Sequence, residues 1–513
     1  MTPRRLPFGD EGNADHSPFF FSRLRLGFLI SGTVFLVLLL LAFAFLNRSE
    51  QTWQSEDGHH ELLGVSDGSV FFNDPSEEQD PNQRAAIERI NRIFQKIYEE
   101  NQRVAEGDGA YVRVVLLMPL TVSKSKPSAM PLDHIEHALQ GTYTALIRAN
   151  RSTYFGDPNQ VKLQLALVNQ GSRQDVSDRL VDAILEVSEP EHPVTAVIGL
   201  GSSVLNTEHM VRKLGDRGIP MVSAITSSDT LTGRPNFWSV SPSNIHYVQA
   251  LRHFLDARQD LKSAIVVRDR NPDPYTSSLA QAFEEHLRPY VKFPELTYTG
   301  GTIDQPAQPH VFAPLVTNLC NAVNDRDNPL DTVLYSGRVT DFEFFAKALA
   351  DRQCRNAPLT ILTAATGFAS AERYKEILDD GNVTVIYATS CDPVGWLKGA
   401  VPAPPDFAAF LQSYEEAGFP HGDLNDGMAI AHHDALATAA MAIRLSPPPH
   451  QPADVAAQFG NLVLAYQVRG ASGTLSFPAD ARGRATERSI PIRQIGADAV
   501  PNLPENFTPY VVK

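Results

Sequence analysis

Cysteine is scarce in this chain. Its 513 residues include three cysteines, Cys320, Cys354 and Cys391, and none belongs to a C-x-x-C pair. Disulfide-stapled domains carry a much higher density of cysteine, and structural zinc sites usually draw on closely spaced cysteine pairs. The composition therefore excludes a disulfide scaffold, and we expect neither a metal nor a cofactor.

Positive charge is also in short supply. Lys and Arg total 44 and Asp and Glu total 59, which leaves a formal net charge of −15 at pH 7. Proteins that bind nucleic acids neutralise the phosphate backbone with a basic surface. Because no general basic surface is available here, we expect no nucleic-acid partner.

The chain lacks the familiar catalytic motifs. No G-x-S-x-G or Walker A sequence occurs, and His134 and His137 are three residues apart, not four as in the H-E-x-x-H zinc motif. Residues 123–126 fit S-x-x-K without the other motifs of serine acyltransferases, so we expect a solvated loop at a cleft rim. No catalytic residue is predicted, and the protein is not expected to be an enzyme.

A histidine pair lies in an apolar helical segment, residues 427–445. His432 and His433 are followed by Asp434. Adjacent side chains on a helix point about 100° apart, so the two histidines cannot easily face one metal ion. We expect all three residues to have a packing role.

One long apolar run stands near the N-terminus. Residues 26–46 read LGFLISGTVFLVLLLLAFAFL and carry no charge. About 20 apolar residues suffice for a helix that crosses a bilayer, and the arginines before the run place residues 1–25 in the cytoplasm. We therefore expect a single-pass membrane protein whose remaining domains are extracellular. The alternative is a cleaved signal peptide, because residues 42–44 (Ala-Phe-Ala) resemble a cleavage site.

Residues 47–110 predict a stalk or linker, since they are mostly polar and rich in turn-forming residues. The exception is an amphipathic helix over residues 82–104, where apolar residues recur every three or four positions. Asp80 and Pro81 supply a capping residue and a first-turn proline ahead of it. The helix either forms part of the stalk or docks on the main body.

Short apolar runs alternate with helical stretches after residue 110. Buried strands are predicted at residues 112–118, 162–168, 194–198, 219–222, 263–267, 332–335, 359–362 and 383–387. This alternation is typical of parallel sheets covered by helices on both faces. Because these strands exceed one ordinary domain core, we predict an α/β fold with two doubly wound lobes. A ligand crevice is expected at the carboxyl ends of the strands.

Two loops of the first lobe are rich in hydroxyl groups. Residues 199–203 (GLGSS) and 223–229 (SAITSSD) each follow a predicted strand. Serine hydroxyls and free N–H groups near a helix N-terminus favour a carboxylate or another anion. Each loop alone is also compatible with simple helix capping, but both are expected at the same sheet edge.

Four passages, taken in order, resemble a known family. They are residues 197–232 (VIGLGSSVLNTEHMVRKLGDRGIPMVSAITSSDTLT), 264–283 (AIVVRDRNPDPYTSSLAQAF), 331–349 (DTVLYSGRVTDFEFFAKAL) and 469–484 (RGASGTLSFPADARGR). From residue 111 to about residue 498, the chain resembles the type 1 periplasmic binding proteins, specifically the branched-chain amino-acid receptors of ABC transporters. The resemblance implies two lobes joined by three crossings near residues 239–242, 389–393 and 468–473.

These crossings divide the exported part of the chain. The implied segments are residues 111–240 and 390–468 for lobe 1, residues 241–389 and 469–498 for lobe 2, and residues 499–513 for a C-terminal tail. The resemblance also implies that the two first-lobe loops hold a ligand carboxylate, through Ser202 or Ser203 and through the turn from Ile225 to Ser227.

On the second lobe the resemblance implies an aromatic contact from Tyr275. Arg338 stands where the family carries a second aromatic residue, and the acid that receives a ligand ammonium group would fall at Ala365 or Thr366. Neither of these two residues is acidic, so the match to an α-amino acid is incomplete. Arg338 would face an anionic or polar ligand with its fork of donors, or lie on the surface beside the cleft.

The cysteines fall at informative places in the predicted lobes. Cys320 and Cys354 each close a helix at the amino edge of neighbouring strands, so they are disulfide candidates in an oxidising exterior. Two free buried thiols are the alternative. Cys391 lies at an implied lobe crossing and is expected to be buried.

The sequence thus predicts a membrane-anchored, extracellular solute-binding protein that captures a small polar ligand, an amino acid or related anion, by lobe closure. Its partner would be an ABC-type permease. The alternative is a ligand sensor or interaction module of the same fold that signals to a membrane partner. An exported enzyme would require a nucleophile and a base that the sequence does not present.

Overall fold

The computed structural model describes residues 52–55, 61–124, 127–258, 260–496 and 507–513. Residues 53–513 belong to one compact unit. The predicted tail and membrane span, residues 1–25 and 26–46, lie outside the described residues. Within the described part of the chain, no helix combines the length and the apolar character needed to cross a bilayer.

Strands and helices alternate along the described chain. The strands are β1 (Thr52–Gln54), β2 (Leu62–Ser66), β3 (Tyr111–Met118), β4 (Lys162–Asn169), β5 (Val194–Gly199), β6 (Met221–Ser223), β7 (Phe237–Ser239), β8 (Ala264–Asp269), β9 (Leu296–Tyr298), β10 (Thr332–Ser336), β11 (Leu359–Ala364), β12 (Val383–Ala388), β13 (Val468–Gly470), β14 (Gly473–Leu475), β15 (Ser489–Ile490), β16 (Ile492–Gln494) and β17 (Tyr510–Val511). The α-helices are α1 (Pro81–Ala105), α2 (Leu132–Arg151), α3 (Asp178–Glu186), α4 (Leu205–Asp216), α5 (Asn244–Ala257), α6 (Pro274–His286), α7 (Phe312–Val323), α8 (Val339–Ala350), α9 (Lys375–Asp380), α10 (Pro393–Leu397), α11 (Phe407–Glu416), α12 (Met428–Leu445) and α13 (Pro452–Gln458).

The first lobe is built on a seven-stranded sheet with the order β1-β2-β4-β3-β5-β6-β7. Strands β3 to β7 are parallel, and β2 runs antiparallel to β4. At its centre Leu116 pairs with Leu167 and Ile198, and all three side chains are fully buried. Helices α2 and α12 contribute to one core, and α3 and α4 to another. Burial on both faces explains why these strands read as unbroken apolar runs.

The segment before β3 also belongs to the first lobe. Helix α1 buries Ile90, Phe94 and Ile97 in the core that it shares with α2, and β2 extends the sheet beyond β4. The stalk interpretation of residues 47–110 is therefore corrected for residues 61–110. The physical reason is that α1 has an apolar stripe that is buried only by docking, so the docked-helix alternative describes it.

The second lobe is built on a six-stranded sheet with the order β16-β12-β11-β10-β8-β9. Strands β8 to β12 are parallel, and β16 is antiparallel to β12. Cys320 at the end of α7 and Cys354 after α8 form a disulfide with Cα atoms 5.4 Å apart, which is the pairing favoured from the sequence. Cys391 is a free, buried thiol.

The end of the chain packs on the second lobe. Residues 497–506 lie outside the described residues, but β17 pairs with β15 and Val512 is buried in a second-lobe core. The described part of the predicted tail, residues 507–513, is thus an integral part of this lobe.

The chain passes between the lobes after β7, after β12 and before β15. Leu475 and Ala485 still belong to the first-lobe core, whereas Ile490 belongs to a second-lobe core. The third crossing therefore lies between residues 485 and 490. The implied crossing at residues 468–473, and the lobe boundary at residue 468, are corrected, because β13 and β14 form a hairpin on the first lobe.

A buried arginine joins the three crossings. Arg488 lies on the third crossing, and its guanidinium donates to the carbonyl oxygens of Val240 on the first and Ser390 on the second. The segments that must bend in any lobe motion are therefore held together by one side chain.

Candidate functional site

The first candidate loop follows β5 and leads into α4. The hydroxyl of Ser202 donates to the carbonyl oxygen of Ala129 at 3.0 Å, which holds the loop in place. Ser203 is buried, and its Oγ accepts the N–H groups of Ser227 and Ser228 at 3.2 and 3.4 Å. Ser203 therefore faces the second loop, whereas Ser202 has a local partner.

The second candidate loop follows β6. The hydroxyl oxygens of Ser223 and Thr226 are 2.5 Å apart, and the N–H of Thr226 donates to the same Ser223 oxygen at 3.1 Å. Ile225 is partly buried and packs against the first-lobe core, while Ser227 is buried. The two loops thus gather hydroxyl groups and backbone donors at the carboxyl ends of two adjacent parallel strands.

Tyr275 stands in the first turn of α6, on the second lobe. Its hydroxyl donates to the carbonyl oxygen of Ala364 at 2.7 Å, and its ring lies 5.6 Å from the guanidinium carbon of Arg338. Burial raises the pKa of the Tyr275 hydroxyl, so this group is a neutral donor. The side chain is fixed by contacts within the second lobe.

Arg338 reaches from the second lobe to the first. Its Nε and Nη2 atoms donate to Asp273 Oδ2 at 2.8 and 2.6 Å, and Nη2 also donates to the carbonyl oxygen of Ser203 at 2.7 Å. Burial would lower the pKa of Arg338, but the Asp273 carboxylate raises it above its ordinary value. Arg338 therefore lies at the cleft, and its charge is paired there with an acid.

The rims of the two lobes touch in this structure. Ser228 Oγ donates to the carbonyl oxygen of Pro274 at 3.0 Å, and the N–H of Asp229 donates to Ser278 Oγ at 3.0 Å. The structure thus brings together Ser203, the Ser227 N–H, Tyr275 and Arg338 where the two lobes meet. Ser202 instead bonds Ala129 within the first lobe, and Ile225 packs against the first-lobe core.

The implied ammonium position carries no acid. Thr366 Oγ1 lies 3.0 Å from the Tyr247 hydroxyl and donates to Ser390 Oγ at 2.9 Å, and Ala365 is partly buried. A hydroxyl can accept a hydrogen bond but does not offset a positive charge. Neither Ala365 nor Thr366 can therefore neutralise an α-ammonium.

A buried acid of the second lobe was not anticipated from the sequence. Asp341 accepts the N–H of Gly301 at 2.9 Å and the hydroxyl of Tyr298 at 3.3 Å. Burial, with a contribution from the nearby Asp269 carboxylate, raises the pKa of Asp341 to about 6. Tyr298 and Gly301 are both second-lobe residues, so these bonds hold Asp341 within the second lobe.

The histidine pair of α12 belongs to the first-lobe interior. His432, His433 and Asp434 are fully buried, and His433 lies 2.8 Å from Asp434 and 2.6 Å from Arg148. Burial lowers the pKa of His433 to about 4, so its ring is neutral at physiological pH. These contacts agree with the expected packing role. No group of three or more potential metal-ligating side chains occurs among the described residues.

A surface cavity of about 240 Å³ lies on the second lobe, away from the cleft. It is bounded by β9 and α7, with Arg270, Tyr298 and Leu315 among its lining residues. None of the predicted ligand residues lines it, so it is separate from the candidate site.

Sequence reasoning missed Arg484, which stands behind the second loop. Its guanidinium donates to the carbonyl oxygens of Thr226 at 2.7 Å and Ser228 at 2.6 Å. Arg484 ends one of the passages that carry the family resemblance, but arginines are usually exposed, and nothing in the hydropathy pattern marks this one as buried.

Comparisons with known proteins place this architecture among solved folds. No protein-family model matches the chain, and no curated protein does so. The leucine-binding protein LivK of Thermotoga maritima is 16% identical with a TM-score of 0.54, and the match covers 76% of this chain and 97% of LivK. An ABC transporter substrate-binding protein of Desulfitobacterium hafniense in complex with leucine is 17% identical with a TM-score of 0.54, covering 76% and 99% of the two chains.

A third solved structure is similar to the same extent. The solute-binding protein of an ABC transporter from R. palustris, in complex with 4-hydroxybenzoate, is 14% identical with a TM-score of 0.56. The match covers 78% of this chain and 97% of that protein. The chain therefore has the type 1 periplasmic-binding fold, which confirms at the level of the fold the resemblance seen in the sequence.

Proposed function

We propose that this protein captures a small carboxylate-bearing solute outside the cell by closing its two lobes around it, as the receptor of an ABC-type transporter. The observation that carries the proposal is the meeting of Ser203 and the Ser227 N–H on one rim with Tyr275 and Arg338 on the other. Hydroxyl and backbone donors at the ends of parallel strands suit an anion and need no reacting group.

The residues of the site indicate which class of carboxylate would bind. Leucine and 4-hydroxybenzoate, which are bound by structural neighbours, both carry a carboxylate. Because Ala365 and Thr366 offer no acid to an ammonium group, a carboxylate without an α-amino group suits this cleft better than leucine. The carboxylate would accept the Ser227 and Ser228 N–H groups that Ser203 Oγ accepts in this structure, and the Ser203 hydroxyl would then donate to the carboxylate.

Closure would follow from contacts to both lobes. A ligand that bonds the first-lobe loops and lies against Tyr275 and Arg338 stabilises only the shut arrangement, so it shifts the population toward that state. The predicted helix over residues 26–46 would hold the receptor at the membrane beside its permease.

A thermal-shift measurement on the full-length protein in detergent tests the proposal. Ligand that binds only the native state raises the melting temperature, by the equivalent of about 2.7 kcal/mol at a hundredfold excess over Kd. We expect 4-hydroxybenzoate or leucine to raise it, glucose to leave it unchanged, and Ser203→Ala to remove the response. Ser413→Ala, on α11, is the matched control. No response to either acid would contradict the proposed function, whereas full responses in both Ser203→Ala and Tyr275→Ala would contradict the assigned site.

A ligand sensor of the same fold is the second candidate. It is favoured by the direct bond between Arg338 and Ser203, because a shut state that the protein stabilises by itself can be switched by a competing ligand. Cross-linking in native membranes separates the candidates. Recovery of permease and ATPase subunits supports transport, and recovery of a signalling protein supports sensing.

A further inference from the structure

Arg484 is a buried cation that contacts the second candidate loop, residues 223–229. Besides the carbonyl oxygens of Thr226 and Ser228, its guanidinium donates to the Thr232 hydroxyl at 3.0 Å and to the Ser241 carbonyl oxygen at 3.4 Å. Its relative exposure is 1%. All of these partners are neutral oxygens of the loop, of Thr232 just after it, or of the first crossing.

These bonds set the direction of the peptide that follows Thr226. In a planar trans peptide the C=O and N–H bonds point in opposite directions. Because the Thr226 carbonyl points at Arg484, the N–H of Ser227 points away from it, and it meets Ser203 Oγ at 3.2 Å. Arg484 thus orients the Ser227 N–H, one of the proposed ligand donors.

The peptide that follows Ser228 is aimed in the same way. Its carbonyl points at Arg484, so the N–H of Asp229 points to the cleft side and donates to Ser278 Oγ of the second lobe. A cation bound to both carbonyls also polarises the two peptide groups and strengthens their N–H donors.

The charge of Arg484 has little compensation. Across the described ranges no carboxylate forms an ion pair with it, and burial lowers its pKa to about 10, so it stays protonated at neutral pH. Asp229 opposes this shift from a distance, but its carboxylate bonds Ser278 Oγ at 2.7 Å. Arg488, four residues on, is likewise buried and bonds only backbone carbonyls.

From this arrangement we infer that Arg484 is a positioning residue that makes the first-lobe site selective for anions, so that the solute carries a negative charge with no compensating ammonium. The inference rests on the proposed function, because it assigns the charge of the solute in the same cleft. A buried charge without a partner is unfavourable, and an anion held by the Ser227 and Ser228 N–H groups offsets it.

Matched acid and amide probes test the inference on the full-length protein. Binding of 4-hydroxybenzoate and of its neutral analogue 4-hydroxybenzamide is measured by calorimetry at pH 7.5. We expect the acid to bind at least tenfold more tightly than the amide. In Arg484→Met the affinity for the acid falls at least tenfold while that for the amide changes less than twofold. Arg484→Lys, which keeps the charge but loses the two-carbonyl fork, should retain part of the preference.

Arg444 provides the control. It is also buried, bonds backbone carbonyls of Phe155 and Ala149, and has a pKa lowered by burial to about 10, but it lies at the end of α12, away from both candidate loops. Arg444→Met should lower stability and leave the acid-to-amide ratio unchanged.

Three results would overturn the inference: an amide that binds wild type as well as the acid, an unchanged ratio in Arg484→Met, or, if that variant does not fold, an unchanged ratio in Arg484→Lys. Absence of binding by both probes and by leucine would instead refute the proposed function itself.

Discussion

On the first-lobe face of the cleft, Ser203 and the Ser227 N–H stand in front of Arg484, which bonds only neutral oxygens, whereas on the second-lobe face Arg338 is paired with Asp273. The charge of Arg338 on the second-lobe face is therefore neutralised by an acid of the same lobe, and this face can close over the ligand as a lid. Arg484, next to the first-lobe loop, has no such ion pair among the described residues, and this difference supports assigning ligand selectivity to the first-lobe face.

The first lobe also has an acid at the interface, Asp426, which is paired with His137. We predict that this pair makes a large contribution to stability. Asp426 accepts the Gly367 N–H of the second lobe at its carbonyl, and His137 Nδ1 lies 2.7 Å from its carboxylate. Burial alone would lower the pKa of His137, but Asp426 raises it from 6.5 to about 9. The stabilisation is therefore complete below pH 6.5 and is lost as the pH rises through 9.

His137→Gln should lower the free energy of unfolding by about 3 kcal/mol at pH 6.5, and the difference from wild type should vanish well above pH 9. Urea unfolding at a series of pH values measures it. His209 is exposed and provides the control variant His209→Gln, which should leave the free energy of unfolding unchanged. A difference that does not depend on pH would exclude a charged His137–Asp426 pair.

The second face predicts a different pH window. Burial raises the pKa of Asp341 from 3.8 to about 6, so its ionised form is disfavoured in the folded state. Its contribution to stability is greatest below pH 3.8 and falls as the pH rises through 6, by about 3 kcal/mol. Asp341→Asn should remove this dependence between pH 4 and 7, while the exposed Asp351→Asn should retain it. Identical pH profiles for wild type and Asp341→Asn would contradict the raised pKa.

Much of the fold can be predicted from the sequence because apolar periodicity reports local burial. The runs around Leu116 and Ile198 are buried on both faces, and the loops after β5 and β6 lie at one sheet edge because parallel strands share their carboxyl ends. The cysteine pairing follows from the same regularity, since the helices that end near Cys320 and Cys354 are neighbours in a parallel fold.

The rest depends on contacts between residues far apart in sequence. From the sequence alone, Arg484 and Arg488 would be assigned to the surface, because arginines are usually exposed. Both donate to backbone carbonyl oxygens, and every residue has one, so the sequence does not identify these partners. The predicted position of the third crossing is wrong for a similar reason. The hairpin of β13 and β14 is so short that its sequence does not indicate the lobe against which it packs.

Breaking the Arg338–Asp273 pair tests whether the second-lobe face holds the lobes together. Arg338→Met removes the bonds to Asp273 and to the Ser203 carbonyl, and bonds to charged groups contribute about 1.5–3 kcal/mol each when well formed. Because Arg338 is partly exposed, we expect a loss near the lower end, about 1.5 kcal/mol in urea unfolding. Small-angle scattering should show a larger radius of gyration, whereas the exposed Arg373→Met should change neither. An unchanged radius would mean that Arg338 does not hold the lobes together.

The smallest effect on stability is expected at Tyr275, an uncharged residue of the second-lobe face. Tyr275→Phe leaves the ring beneath Arg338 and removes only the bond from the hydroxyl to the Ala364 carbonyl oxygen. We expect the free energy of unfolding to fall by about 1 kcal/mol, because a buried carbonyl loses its donor, with the ligand-induced thermal shift retained. Tyr466→Phe, at a half-exposed tyrosine, should have no effect on either. Loss of the ligand response in Tyr275→Phe would assign the hydroxyl itself to the ligand, and the lid would then take part in choosing the solute.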